Sequence, residues 1–106
     1  MQTITKNEER ILLSILQLRD DAYLVAIKRH LADVLHKTVS LTSIHLPLSR
    51  MESNGLVESR WGEATAVRGG RRKKIYSVTR LGFSVLDEYK RVQDALWKNY
   101  TKLATS

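Results

Sequence analysis

The chain contains no cysteine among its 106 residues. That absence excludes disulfide bonds, thiolate zinc sites and thiol nucleophiles together. Long hydrophobic runs are missing too, since no stretch approaches the roughly 20 apolar residues that span a membrane. Residues 1–5 at the amino terminus are mostly polar and lack the features of a targeting segment. We therefore expect a cytoplasmic protein that has no membrane partner.

Catalytic and metal-binding signatures are equally scarce. The sequence has no phosphate-binding loop and no G-x-S-x-G nucleophile motif. His30 and His36 are six residues apart, do not share a helix face and have no acidic residue at metal-ligand spacing. Asp20 and Asp21 lie in a turn ahead of a helix, where aspartates more often cap than catalyse. We predict a protein that is not an enzyme and has no cofactor and no metal site.

Glycine is sparse, with five residues in all, but two of them are adjacent within a cluster of positive charge. Residues 68–74 hold five cations around Gly69 and Gly70, so the rest of the chain carries only +2 of the formal net charge of +7. Paired glycines suit the tip of a β-hairpin, and the β-branched and aromatic residues of 75–78 suit a returning strand. Such a charged hairpin fits a polyanion, whereas the alternative is a solvated basic loop.

Apolar periodicity predicts four helices around this hairpin. A capping box at Thr5 and Glu8 starts the first helix, which covers residues 6–18, and the second covers about 23–36. Ser40 caps a third segment that stops at residues 54–55, with regular helix mainly from Pro47 onward because an internal proline removes a hydrogen bond. The hairpin has strands at 56–61 and 73–78 and a loop at 62–72, and we call it the wing.

A final helix is predicted to run from a cap at Thr79 to about Leu103. Its apolar residues recur at nearly the spacing of a coiled-coil seam, and so wide an apolar surface favours a partner chain. The alternative is that this helix packs entirely on the first helix of a monomer. We expect residues 1–79 and 80–106 to form one compact unit. The predicted dimer interface comprises Val85, Tyr89, Val92, Leu96, Trp97 and Tyr100.

The element order is typical of a winged helix-turn-helix domain, a mainly α fold with a small β-hairpin and here a long C-terminal helix. The outer face of the third helix carries short hydroxyls, an imidazole and a guanidinium, which suit close approach to phosphates and base edges. A winged helix that docks on protein is the competing function, although docking does not need five cations in seven residues.

The residues resemble the PadR family of bacterial transcriptional regulators in its short form. The resemblance covers about residues 8–97 and depends on segments 11–16, 21–23, 39–45, 50–57 and 62–79. It implies a homodimeric DNA-binding regulator, commonly a repressor, that recognises an operator with dyad symmetry. Relatives often sense small molecules, so Tyr89, Trp97 and Tyr100 either line a site for an aromatic or cationic effector or simply pack the dimer. The DNA-facing positions that the resemblance implies are Tyr23, Ser40, Thr42, Ser43, His45, Ser49, Arg50, Arg68, Arg71, Arg72, Lys73 and Lys74.

Overall fold

The fold was obtained as a computed structural model that describes residues 2–62 and 72–105. It confirms the predicted winged helix-turn-helix architecture, with helices gathered around one two-stranded antiparallel hairpin. The elements in chain order are α1 (Lys6–Leu18), a 3₁₀ turn (Arg19–Asp21), α2 (Leu24–Leu35), α3 (Thr42–Ser53), β1 (Val57–Trp61), β2 (Lys74–Val78), α4 (Arg80–Trp97) and α5 (Tyr100–Ala104).

Helix α1 begins and ends where the sequence predicts. The hydroxyl of Thr5 accepts a hydrogen bond from the backbone N–H of Glu8 at 3.1 Å, and the N–H of Thr5 donates to the Glu8 carboxylate at 2.8 Å. This reciprocal pair satisfies two N–H groups that the first turn of a helix leaves free. Helix α2 is one residue shorter at each end than predicted, because Tyr23 is its N-cap and His36 takes a left-handed conformation at its C-terminus.

The core lies where α1 meets α2, α3, the first half of α4 and the inner face of the wing. Apolar side chains from every one of these elements are buried there, so α3 and the base of the wing share one core with α1. The largest buried side chains are Ile11, Leu12, Ile15, Ile27, Ile44, Leu48, Met51, Leu56, Val57 and Val85.

Helix α3 is regular from Thr42 through Pro47 to Ser53, so the prediction of regular helix mainly from Pro47 onward is wrong. The hydroxyl of Ser40 accepts a hydrogen bond from the N–H of Ser43, which starts the helix well before the proline. Pro47 leaves the carbonyl of Ser43 without its usual intrahelical donor. The side-chain amide of Asn7 on α1 donates to that carbonyl at 3.0 Å.

The wing strands pair in antiparallel register, with Val57 opposite Val78 and Trp61 opposite Lys74. Each strand begins one residue later than predicted. Tyr76 is buried in the core, and its N–H donates to the carbonyl of Ala22 at 2.9 Å. That bond ties β2 to the turn before α2. Most of the predicted wing loop, residues 63–71, lies outside the described residues.

Helix α4 ends at Trp97, so the prediction that it continues to Leu103 is wrong. Asn99 adopts a left-handed conformation with φ of 62°, which a regular helix does not tolerate but asparagine accepts readily. The short helix α5 follows this break. Beyond Tyr89 the described residues are exposed except for Gln93, so the second half of α4 and the short α5 project from the core. The molecule measures 61 × 31 × 21 Å.

Gly82 is where α4 approaches the start of the wing most closely. A β-carbon at this position would lie 2.3 Å from the carbonyl oxygen of Leu56 and 2.7 Å from a methyl group of Val78. We expect Gly82→Ala to lower the free energy of unfolding by about 3 kcal/mol, because the obstructing oxygen belongs to the backbone. Urea unfolding measures this, with the exposed Ser84→Ala as control. A loss as small as that of the control would contradict the close approach.

Candidate nucleic-acid interface

The exposed residues of α3 cover one broad face, and its two edges, which we call flanks, border the buried stripe. Ile44, Leu48 and Met51 are buried in the core and fix the rotation of the helix about its axis. At ~100° per residue, His45 and Ser49 then fall on one side of the buried stripe, and Ser43 and Arg50 on the other. The residues predicted to contact DNA from this helix therefore do not form a single row.

The first flank of α3 faces a groove of about 480 Å³ between α2, α3 and the foot of the wing. We call it the wing-base groove. Its floor is apolar or aromatic and its rim is basic, which is an arrangement suited to a polyanion. Five predicted DNA-contacting residues meet here, and Arg29 adds a cation that sequence reasoning missed. The groove is lined by Tyr23, Leu24, Val25, Arg29, His45, Ser49, Lys73, Lys74 and Tyr76.

Tyr23 and Lys73 contact each other across this groove. The ammonium of Lys73 lies 4.0 Å from the centre of the Tyr23 ring, within the range of a cation–π interaction. The contact positions the lysine without neutralising its charge, so Lys73 remains able to bind an anion. Burial raises the pKa of the nearby Tyr76 phenol above its ordinary value of 10.0.

Lys74 has a carboxylate partner of its own. Its ammonium lies 3.2 Å from one oxygen of Glu52 on α3, and the hydroxyl of Ser59 on β1 donates to the other oxygen. The Ser59 hydrogen bond and the Lys74 charge hold the pKa of Glu52 below 4.5, against a smaller opposing effect of burial. Glu52 thus joins α3 to both wing strands. Sequence reasoning missed it, because the strand register that places Ser59 and Lys74 beside it is not readable from periodicity.

The base of the wing loop is closed by two hydrogen bonds. The guanidinium of Arg72 donates to the carbonyl of Gly62 at 3.1 Å, and the N–H of Gly62 donates to the carbonyl of Lys73 at 2.7 Å. Trp61 stands beside this closure and is 60% exposed. The predicted phosphate contacts Arg68 and Arg71 lie outside the described residues.

The second flank of α3 faces α1 rather than the wing. The hydroxyl of Ser43 donates to the carbonyl of Ser40 at 2.7 Å, so its proton is already used within the first turn. The guanidinium of Arg50 lies 3.7 Å from the Glu8 carboxylate, which is nearly buried. Thr42 is exposed at the start of the helix. The structure therefore separates Ser43 and Arg50 from the wing-base groove.

The residues predicted for the dimer interface also divide into two groups. Val85 is 2% exposed within the core of its own chain, so it has no surface to offer a partner and its assignment to the interface is wrong. Tyr89 packs against the same core. The exposed apolar residues beyond it, which we call the distal strip, are Val92, Leu96, Trp97, Tyr100 and Leu103.

Within the distal strip, the rings of Trp97 and Tyr100 meet edge to face across the break between α4 and α5, with centroids 4.8 Å apart. Ion pairs between Lys90 and Asp94 and between Glu88 and Arg91 run along α4 and support its projecting half. In residues 2–62 and 72–105, no group of three or more histidine or acidic side chains is arranged to hold a metal ion. No helix in that same part of the chain is both long and apolar enough to cross a bilayer.

Comparison with known proteins agrees with the resemblance read from the sequence. The model of the transcriptional regulator PadR-like family matches residues 12–88, well over half of the chain. A PadR family transcriptional regulator from Eggerthella lenta is 30% identical, with a TM-score of 0.68 over 89% of this chain and 80% of that one. A PadR-like regulator from Bacillus cereus is 26% identical, with a TM-score of 0.72 over 93% and 91% of the two chains. No curated protein sequence matches the chain.

Replacing Glu52 by glutamine tests the link between α3 and the wing. A carboxylate whose pKa is lowered by folding stabilises the folded state above its ordinary pKa of 4.5, and that contribution is lost as the pH falls through the lowered value. We expect Glu52→Gln to lower the melting temperature at pH 7 by about 5 °C, the effect of one lost hydrogen bond in a domain of this size. The difference from wild type should shrink below pH 4.5.

Melting curves between pH 3 and pH 8 measure this, with the exposed Glu58→Gln on β1 as the matched control. A destabilisation that is the same at every pH would show that the charge of Glu52 contributes nothing.

Proposed function

Because the chain belongs to the PadR-like family of transcriptional regulators, we propose that it binds an operator with dyad symmetry as a homodimer and represses transcription there. Its DNA-binding face is centred on the wing-base groove. The observation that carries the proposal is the convergence of Tyr23, His45, Ser49 and Lys73 at that groove. These four side chains, all predicted to contact DNA, thus line one concave basic surface. They come from α3, the wing and the start of α2.

On this proposal the two flanks of α3 have different tasks. His45 and Ser49 point along the groove side and reach base edges in the major groove, which is about 12 Å wide and admits a helix. Lys73 and Arg72 contact the phosphates beside it, since phosphate contacts set the register of a protein on the duplex. Arg50 pairs with Glu8 on α1, and the Ser43 hydroxyl closes the first turn of α3, while both side chains stay accessible to a phosphate.

The distal strip supports the homodimer. Its side chains include Leu96, which is 73% exposed, and Trp97, which is 60% exposed, on a helix that leaves its own core. Several large exposed apolar side chains on one projecting segment are characteristic of an interaction site. A second copy joined there would place two α3 helices about one duplex turn, ~34–36 Å, apart. Binding of an aromatic or cationic effector at Tyr89, Trp97 and Tyr100 stays a prediction.

The salt dependence of DNA binding tests whether Lys73 contacts a phosphate. A dimer that neutralises about eight phosphates should give a slope of log K against log salt near −7. In Lys73→Ala the slope should become shallower by about two, because each protomer loses one phosphate contact. Fluorescence anisotropy on a duplex selected from random DNA measures it. Lys90→Ala, which removes the same charge from α4, should leave the slope unchanged, and an unchanged slope for Lys73→Ala would remove this lysine from the phosphate contacts.

The oligomeric state tests the distal strip. Wild type should sediment at twice the chain mass of 12.2 kDa. Leu96→Asp should dissociate it at micromolar concentration, because burying a carboxylate in an apolar interface costs several kcal/mol. Lys98→Glu, also a charge change on this part of the chain, should remain dimeric. Analytical ultracentrifugation distinguishes the species, and a wild-type protein that sediments as a single chain would contradict the dimer.

A further inference from the structure

Helix α3 lacks one backbone hydrogen bond, and a side chain of α1 supplies a replacement. Pro47 has no backbone N–H, so the carbonyl of Ser43 one turn earlier lacks the donor that every other residue type would supply. The side-chain amide of Asn7 lies 3.0 Å from that oxygen, although the two residues are 36 positions apart in sequence. We propose that Asn7 is a positioning residue for DNA recognition, which fixes the first turn of α3 by replacing the hydrogen bond that Pro47 cannot make.

Asn7 is itself held in place for this contact. It sits between Thr5 and Glu8, whose reciprocal hydrogen bonds fix the first turn of α1. The side chain of Ile4, which precedes this turn, is buried in the core and anchors the residues that lead into α1. A donor on such a fixed turn contributes more than one on a mobile segment, because less conformational entropy is lost when its hydrogen bond forms.

Two more contacts join the same segment to α3. The carboxylate of Glu8 lies 3.7 Å from the guanidinium of Arg50, and the side-chain amide of Gln2 donates to the carbonyl of Asn54 at 3.1 Å. Asn54 is the residue that ends α3. Residues 2–8 therefore contact this helix in its first turn, in its last turn and at its C-cap, and Asn7 supplies the contact in the first turn.

The first turn is the part of α3 on which base reading depends most. The N–H of His45 donates to the carbonyl of Leu41 within this turn, so any loosening of the turn moves the imidazole. Contacts to base edges require side chains held within about 0.5 Å, whereas contacts to phosphates carry no sequence information and tolerate small shifts. Loss of the Asn7 hydrogen bond should consequently weaken operator binding more than non-specific binding.

A double-mutant cycle between Asn7 and Pro47 tests this proposal, which rests on the proposed function. Pro47→Ala restores an N–H that can donate to the Ser43 carbonyl, so it should make Asn7 dispensable. We expect Asn7→Ala to weaken binding to the selected duplex about three- to tenfold when Pro47 is present, the effect of one surface hydrogen bond. In the Pro47→Ala background the same substitution should cost less than about twofold, and binding to scrambled duplex should change little in both backgrounds.

The melting temperatures of wild type, the two single variants and the double variant form a second cycle that does not involve DNA. Asn7→Ala should lower the melting temperature clearly when Pro47 is present and hardly at all in the Pro47→Ala background. Gln17→Ala, which removes an exposed amide further along α1, is the control and should behave as wild type in both backgrounds. The thermal cycle measures the coupling of Asn7 to Pro47 without DNA. If wild type fails to distinguish the selected duplex from the scrambled one, that failure refutes only the proposed function.

Three results would overturn the role of Asn7. Equal losses with Pro47 present and in the Pro47→Ala background would show that Asn7 acts independently of the proline. No loss in either background would show that the hydrogen bond does not position the helix. An equal loss on selected and scrambled duplex would make Asn7 a contact to the DNA backbone rather than a positioning residue.

Discussion

Burial of the apolar stripe of α3 against α1 is the constraint on which the rest of the structure depends. With Ile44, Leu48 and Met51 in the core, neither the rotation nor the depth of the helix is free. That single constraint divides the polar residues of α3 into a flank toward the wing and a flank toward α1. It also makes α1, whose buried side chains belong to the same core as those of α3 and the wing, the common support of the helix and the hairpin.

Charge distribution follows from the same packing. Two acidic residues, Glu8 and Glu52, each hold a cation of the predicted DNA-facing set, Arg50 and Lys74 respectively. These pairs orient side chains, but the charge they hold is less available to phosphate. A count of basic residues in the sequence therefore overstates the charge that the described part of the surface presents. Lys73, whose partner is an aromatic ring rather than a carboxylate, keeps its full charge toward the groove.

Much of the fold could be predicted from the sequence, because its signals are local. The capping box at Thr5 and the 3.6-residue periodicity after it define α1, and the β-branched and aromatic residues after the paired glycines define the returning strand. What could not be predicted depends on residues that are distant in sequence. The hydrogen bond from the Asn7 amide to the Ser43 carbonyl joins two residues 36 positions apart, and no local pattern encodes that contact.

The point at which α4 leaves the core could not be predicted for the same reason. Periodicity shows that Val85 and Leu96 belong to one apolar stripe, but it cannot show where the chain's own core ends and the exposed surface begins. Asn99 permits a left-handed break without demanding one, so the end of α4 was misplaced. Similarly, periodicity places His45 and Arg50 on the exposed face of α3, but it cannot show that His45 lines the wing-base groove while Arg50 pairs with Glu8.

The central claim is that two copies of the wing-base groove read DNA together with a fixed spacing. Selection from a random duplex pool followed by sequencing of the bound fragments tests it most directly. The account predicts enrichment of an inverted repeat whose half-sites are centred ~10–10.5 base pairs apart. Enrichment of a single asymmetric site, or no enrichment over the starting pool, would contradict it.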